Sequence, residues 1–135
     1  QIKSDKLVYI DDYAHHPTEI NAVHQAVREL YPGRKVLAVF QPHLFSRTRD
    51  FIDDFAKSLA IADELYLLDI YPARELPMEG VTSDWLLSKI DLKDKQVISK
   101  ADLLQVIDTK KPKLLVTMGA GDIDLLLNDL KLSLS

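Results

Sequence analysis

Ile10-Asp11-Asp12-Tyr13-Ala14-His15-His16-Pro17 is the stretch on which the fold reading turns. A short apolar run, Lys6-Leu7-Val8-Tyr9-Ile10, leads into it and reads as a buried strand. A helix begins on its far side with Thr18-Glu19-Ile20-Asn21-Ala22-Val23. Two carboxylates, a phenol and two imidazoles therefore share one strand-to-helix turn. In open α/β sheets, such turns at the carboxyl ends of strands are where ligands bind.

The alternation continues outward from this turn. Residues 18–30 read as a helix, with Ile20, Val23, Val27 and Leu30 at helical spacing and Pro32-Gly33 as its stop. Residues 35–40 read as a second buried strand, followed by a polar connection over 41–49. Residues 50–62 read as a helix burying Phe51, Phe55 and Leu59. A third strand over 64–69 leads into a long connection, 70–81, of the length that is usually functional or mobile. Thr82 or Ser83 can cap a short helix through Leu87. Short strand and helix patterns follow at 95–99 and 101–107, then a strand at 113–118 and an amphipathic helix at 123–132. Nearly continuous apolar strands between amphipathic helices predict a Rossmann-like α/β three-layer sandwich with a mainly parallel, roughly six-stranded sheet. The connections after the strands then emerge at one edge, where the unusual polar residues are concentrated.

Composition narrows the function classes. The chain has 135 residues, the size of one domain, with a net charge of −4 and no cysteine. It carries no basic footprint for nucleic acid. Disulfides, zinc–thiolate centres and thiol nucleophiles are excluded. No apolar run approaches the ~20 residues of a membrane span. No Gly-x-x-x-x-Gly-Lys-[Ser/Thr] loop is present, and the first residue is Gln1; the chain reads as one domain of a longer protein.

Asp12 can hold a ribose, as strand-end acids do in nucleotide folds, or serve as a turn residue and helix N-terminal charge. Asp11 reads as structural. His15 and His16 can orient an anion or relay a proton. Adjacent turn histidines lack chelating spacing, so no metal site is assigned. Pro17 fits the first helical position, and His24 reads as a surface residue. Arg47 and Arg49 stand near a helix start, where cations oppose the helix dipole and need a reason. A substrate carboxylate is one reason; an ion pair with Asp50, Asp53 or Asp54 is the other. Gly119-Ala120-Gly121-Asp122 offers either a tight turn or backbone N–H groups to an anion. Pro72-Ala73-Arg74-Glu75 and Gly80-Val81-Thr82-Ser83 line a cleft or form ordinary surface loop. Trp85 reads as core.

Together these pieces resemble the C-terminal domain of the Mur ligases. They are Asp11 to Glu19, Phe40-Gln41-Pro42-His43, Ser46-Arg47-Thr48, Asp69 to Glu75, Gly80 to Ser83 and Gly119 to Ile123. The double histidine with Gln-Pro-His resembles the branch that adds L-alanine and its relative that recycles murein peptides. The resemblance implies a three-domain, cytoplasmic bacterial enzyme that uses ATP and Mg2+ and is not inserted in a membrane. It joins L-alanine to UDP-N-acetylmuramate through an acyl phosphate, with the N-terminal and central domains as partners. It further implies that Asp12 and Tyr13 meet the nucleotide and that His15 and His16 line the reacting junction. His43 and Arg47 position the alanine carboxylate, and Gly119, Ala120 and Gly121 contribute to substrate binding. Leu44 stands where many relatives have arginine, so one carboxylate contact is either missing or supplied by Arg49. A peptide-recycling ligase and a non-catalytic nucleotide-binding module are the alternatives.

Overall fold

The computed structural model describes residues 2–3 (backbone only), 8–110, 112–119 and 123. Lys6, Leu7, Ala120, Gly121 and nearly all of the helix expected at 123–132 lie outside them. Among the described residues, the apolar runs form β2 (Val8–Asp12), β3 (Leu37–Phe40), β4 (Glu64–Leu67), β5 (Asp94–Val97) and β6 (Leu114–Met118). These five are parallel, and β1 (Ile2–Lys3) adds a two-residue antiparallel edge, in the order β1-β2-β6-β3-β4-β5. The last strand in sequence thus runs between β2 and β3.

Period-two alternation splits the strands between two cores. One face sends Val8, Ala38, Phe40, Leu65, Leu67, Val116 and Met118 toward α1 (Pro17–Leu30), α3 (Ile52–Leu59) and α4 (Ser83–Lys89). The other sends Tyr9, Leu37, Val39, Tyr66 and Leu115 toward Leu103 and Ile107 of α5 (Lys100–Lys110). This is the expected three-layer arrangement. Asp11 is structural, as the sequence suggests. Thr117 gives its one hydroxyl proton to Asp11 at 3.0 Å, so Tyr9 must donate to Thr117 at 3.2 Å. Burial pushes the Tyr9 phenol up to about 12.

Local expectations fail where neighbours override periodicity. The helix expected over 50–62 is interrupted: α2 (Phe45–Asp50) precedes α3, with Phe51 non-helical between them. Phe51 is consequently exposed rather than buried, with its ring against His16. Leu30, in the last turn of α1, also faces solvent. Trp85 is half-buried, and Leu86 takes the core position beside it. Thr82, not Ser83, caps α4 by accepting from Trp85 N–H; the Ser83 hydroxyl instead donates to Leu68 O.

His24 is the sharpest correction. It is 1% exposed, on the same stripe of α1 as Ile20 and Val27, and neither ring nitrogen has a partner. Burial, reinforced by Arg28, pushes its pKa down from 6.5 to about 4. The folded pKa lies below the unfolded one, so the unfolded chain takes up this proton first. Stability is then present above pH 6.5 and lost as pH falls toward 4, by on the order of 3 kcal/mol. A His24→Leu chain is expected to lose most of that acid slope. Urea midpoints measured near pH 7 and pH 4.5 check this; parallel pH dependence in the two proteins would refute it.

Candidate functional site at the carboxyl edge of the sheet

The parallel register delivers the ends of β2, β6, β3 and β4 to one rim. At the end of β2, the Asp12 Oδ1 accepts from Ala14 N–H at 2.9 Å, an Asx turn that reverses the chain before α1. The Asp12 side chain and Tyr13 are exposed at this rim.

The two adjacent histidines are held in opposite tautomers. His15 Nδ1 lies 2.9 Å from the Tyr13 carbonyl, which can only accept, so Nδ1 carries the proton and Nε2 has the lone pair. His16 Nδ1 accepts from Thr18 N–H at 3.3 Å as the N-cap of α1, so in the neutral ring Nε2 carries the proton. Pro17 occupies the first helical position, as expected. His15 also sits 3.5 Å from Glu19, and its ring centroid is 6.0 Å from that of His43. His16 packs edge-on against Phe51 at 4.9 Å.

Beyond β3 the chain stays extended, and His43 pairs with Tyr71 in a single bridge beside the end of β4. Leu44 N–H donates to Tyr71 O at 2.8 Å, and Tyr71 N–H to Pro42 O at 2.8 Å. The His43 and Tyr71 rings lie 5.5 Å apart. Leu44 then adopts φ +74°, a conformation that costs a non-glycine residue about 1–3 kcal/mol. The turn points α2 so that Arg47, its third residue, lies beside His43. Burial, Arg47 and His15 all lower the His43 pKa, against an opposing pull from Glu75. At neutral pH, His43 is therefore an uncharged donor and acceptor next to a permanent cation.

Arg47 is half-buried, and its Nη1 is fully enclosed with no hydrogen-bond partner. A desolvated guanidinium N–H without an acceptor is costly, and an anionic ligand satisfies it. Arg49 behaves differently. It is exposed in the last turn of α2 and pairs with Asp50 at 2.9 Å, with Met78 as a second neighbour. The geometry thus brings His15, His43 and Arg47 together. His16 is turned toward Phe51, and Arg49 is already paired.

Three residues beyond the sequence-derived set shape the rim. Tyr71 flanks His43. Glu75 accepts from Ser46 N–H at 3.1 Å and from the Ser46 hydroxyl. Gln41, 3% exposed, donates to Asp69 O at 3.3 Å and accepts from Ile123 N–H at 2.7 Å, lacing three strand ends together. Its contribution is visible in sequence only as a polar residue directly after an apolar strand. Gly119 lies at φ +146°, and a Cβ there would meet Gln41 O at 3.0 Å, which explains the small residue. A cleft of about 320 Å3 opens at this edge, lined by Gln41, Asp69, Tyr71, Pro72, Ser99 and Lys100. A cavity of about 630 Å3 at the other end of the strands is lined by Arg34, Lys35, Glu64 and Lys110, and neither it nor the cleft is lined by His15, His43 or Arg47.

A mainly parallel sheet with a cation, imidazoles and acids gathered at its carboxyl edge, where ligands bind in such folds, defines the class: a Rossmann-like α/β domain. The sequence model described as "Mur ligase, glutamate ligase domain" matches residues 1–121, and the chain belongs to the Mur ligase family. It is 72% identical over 123 residues to the UDP-N-acetylmuramate–L-alanine ligase of Flavobacterium johnsoniae, covering 91% of this chain and 27% of that protein. The chain thus spans about a quarter of the length of that relative. Its fold matches the crystal structure of the UDP-N-acetylmuramate–alanine ligase of Thermotoga maritima with TM-score 0.67 and 26% identity, over 91% of this chain and 25% of that one. A murein peptide ligase from Psychrobacter arcticus shares the fold at TM-score 0.73 and 23% identity, over 96% and 28% of the two chains.

Replacing Gln41 by Met keeps the volume but strands the Ile123 N–H and the Asp69 carbonyl. The expected loss is about 1–3 kcal/mol of stability. Chemical denaturation of the two chains checks this, and an unchanged midpoint would show that the lacing bonds contribute nothing.

Proposed function

We propose that this chain is the carboxyl-terminal domain of an ATP-dependent ligase that joins L-alanine to UDP-N-acetylmuramate. One observation carries the reading: the enclosed, unpartnered Nη1 of Arg47 beside a neutral His43. Together they suit the carboxylate of a small amino acid, the guanidinium by charge and the imidazole by a directed hydrogen bond. The high identity to an alanine-adding ligase favours this reading over a peptide-recycling ligase or a non-catalytic nucleotide module.

ATP phosphorylates the muramate carboxylate, and the alanine amine displaces phosphate from the resulting acyl phosphate to form the amide. With the alanine carboxylate on Arg47 and His43, its amine lies on the His15 side. The free lone pair at His15 Nε2 accepts the proton that the attacking amine must lose. His16 Nε2–H is available to an anionic oxygen. Asp12 takes ribose hydroxyls with its exposed carboxylate, and Tyr13 flanks the nucleotide. Gly119, Ala120 and Gly121 contribute to substrate binding in this reading. Mg2+ and most phosphate contacts belong to the central domain in this reading, and the chain alone does not ligate. Closure of this domain excludes water from the acyl phosphate.

In the complete ligase, Arg47→Ala is expected to raise the alanine KM by roughly 10- to 150-fold, the worth of a charged hydrogen bond of about 1.5–3 kcal/mol. The ATP KM should stay within about twofold of wild type. Steady-state kinetics with each substrate varied decides this. An unchanged alanine KM would remove Arg47 from the amino-acid site.

A further inference from the structure

Arg47 is the third residue of α2, a six-residue helix with no acidic residue in its first turn. The residue at the N-cap position, Leu44, offers no side-chain acceptor. Helix α2 therefore begins with amides that its own N-cap side chain does not satisfy. A carboxylate 29 residues beyond Ser46 supplies the missing acceptor. Glu75 reaches back from the connection after β4 and accepts from Ser46 through both oxygens, one from the backbone N–H and one from the hydroxyl. It also draws on the Phe45 backbone N–H and the Arg49 charge, and the enclosed Nη1 of Arg47 stays unpartnered. A carboxylate placed directly on Arg47 would stabilise the helix but occupy the group a substrate carboxylate needs.

The same connection is fastened to the chain before α2. Tyr71 exchanges backbone hydrogen bonds with Pro42 and Leu44, and Glu75 N–H closes a turn onto Pro72 O at 2.9 Å. Within that turn Ala73 adopts φ +54°, like Leu44 a non-glycine residue in the left-handed region. Thr48, fully buried, donates its hydroxyl to Leu44 O at 2.8 Å and holds the strained residue from the helix side. Leu44 is thus fixed by Tyr71 before the helix and Thr48 within it, and Glu75 holds the first turn between them. Strain of this kind persists only where surrounding contacts over-determine it.

We infer that Glu75 is a positioning residue for the amino-acid site: through Ser46 it holds the first turn of α2 so that the Arg47 guanidinium stays enclosed, correctly aimed and open to an incoming carboxylate. The inference rests on the reading of Arg47 and His43 as that site and adds the device that keeps it preorganised. Glu75 touches no substrate in this account. Its charge also opposes the lowering of the His43 pKa by its cationic neighbour.

The test compares Glu75→Ala, Glu75→Gln and Ser46→Ala with wild type and Arg47→Ala in the complete ligase. The alanine KM, ATP KM and melting temperature are measured for each. Misplacing a binding group by about 1 Å can cost on the order of 100-fold. Glu75→Ala is therefore expected to raise the alanine KM by roughly 10- to 100-fold with the ATP KM unchanged. Glu75→Gln keeps one acceptor for Ser46 and should recover part of the loss. Ser46→Ala, which keeps the backbone N–H, should fall between wild type and Glu75→Ala. If Arg47→Ala raises the alanine KM but the Glu75 and Ser46 variants do not, the positioning role is wrong and the site reading stands. If both KM values rise together with a large fall in melting temperature, Glu75 is merely structural and the inference is overturned. If Arg47→Ala leaves the alanine KM unchanged, the site reading fails and takes the inference with it.

Discussion

Met118 faces Asp12 on one side and Phe40 on the other, and this double register of β6 sets the level at which the functional loops leave the sheet. The ladder extends one step beyond the strands. Gly119 N–H donates to Asp12 O at 3.2 Å, and Gln41 N–H donates to Met118 O at 3.1 Å. Three segments far apart in sequence thus turn away from the sheet at the same height. Gln41 and Gly119 can sit this close because no Cβ separates them. A one-residue slip of β6 would send Thr117 and Leu115 to the opposite face and break the Tyr9–Thr117–Asp11 chain. The buried apolar alternation on both faces forbids it.

That dependence explains which parts of the fold were legible in the sequence. Strands buried on both faces announce themselves as apolar runs, and β2, β3, β4 and β6 are readable in that way, while the polar edge strand β5 shows only as a short pattern. The start of α1 was readable because Pro17 and the turn before it are local signals. The break at Phe51 was not. Phe51, Phe55 and Leu59 are spaced as one helical face, and only the docking of α2 against the 70–82 connection interrupts it. His24 was misread because residue type was allowed to outweigh position. Its place between Ile20 and Val27 on the apolar stripe carried the better signal, and the fold accepts two unsatisfied ring nitrogens there. Leu30 and Trp85 reflect how far neighbouring elements extend, which no local pattern records.

The candidate site was partly legible. His15, His43 and Arg47 stood out because imidazoles and a helix-start arginine have weak structural reasons to follow apolar strands. The opposite tautomers of His15 and His16 depend on a carbonyl and an N–H whose directions arise from the turn. In the sequence, Glu75 is one polar residue of a loop that either lines the cleft or lies on the surface. Its attachment to Ser46 is tertiary and has no counterpart in local spacing. The same holds for the left-handed Leu44, a residue type that gives no hint of positive φ.

Charge at the rim is arranged by where the acids are spent. Asp11 accepts from Thr117, Glu19 takes the His15 N–H, Asp50 pairs with Arg49, and Glu75 is bound by Ser46. These four carboxylates are committed to a backbone amide, a hydroxyl or a different cation, while Arg47 Nη1 has no acceptor. Burial, the guanidinium and His15 all lower the His43 pKa, so at neutral pH the imidazole adds no second positive charge beside Arg47. A carboxylate proposed for this place would therefore meet a fixed cation whose enclosed N–H has no protein acceptor to give up.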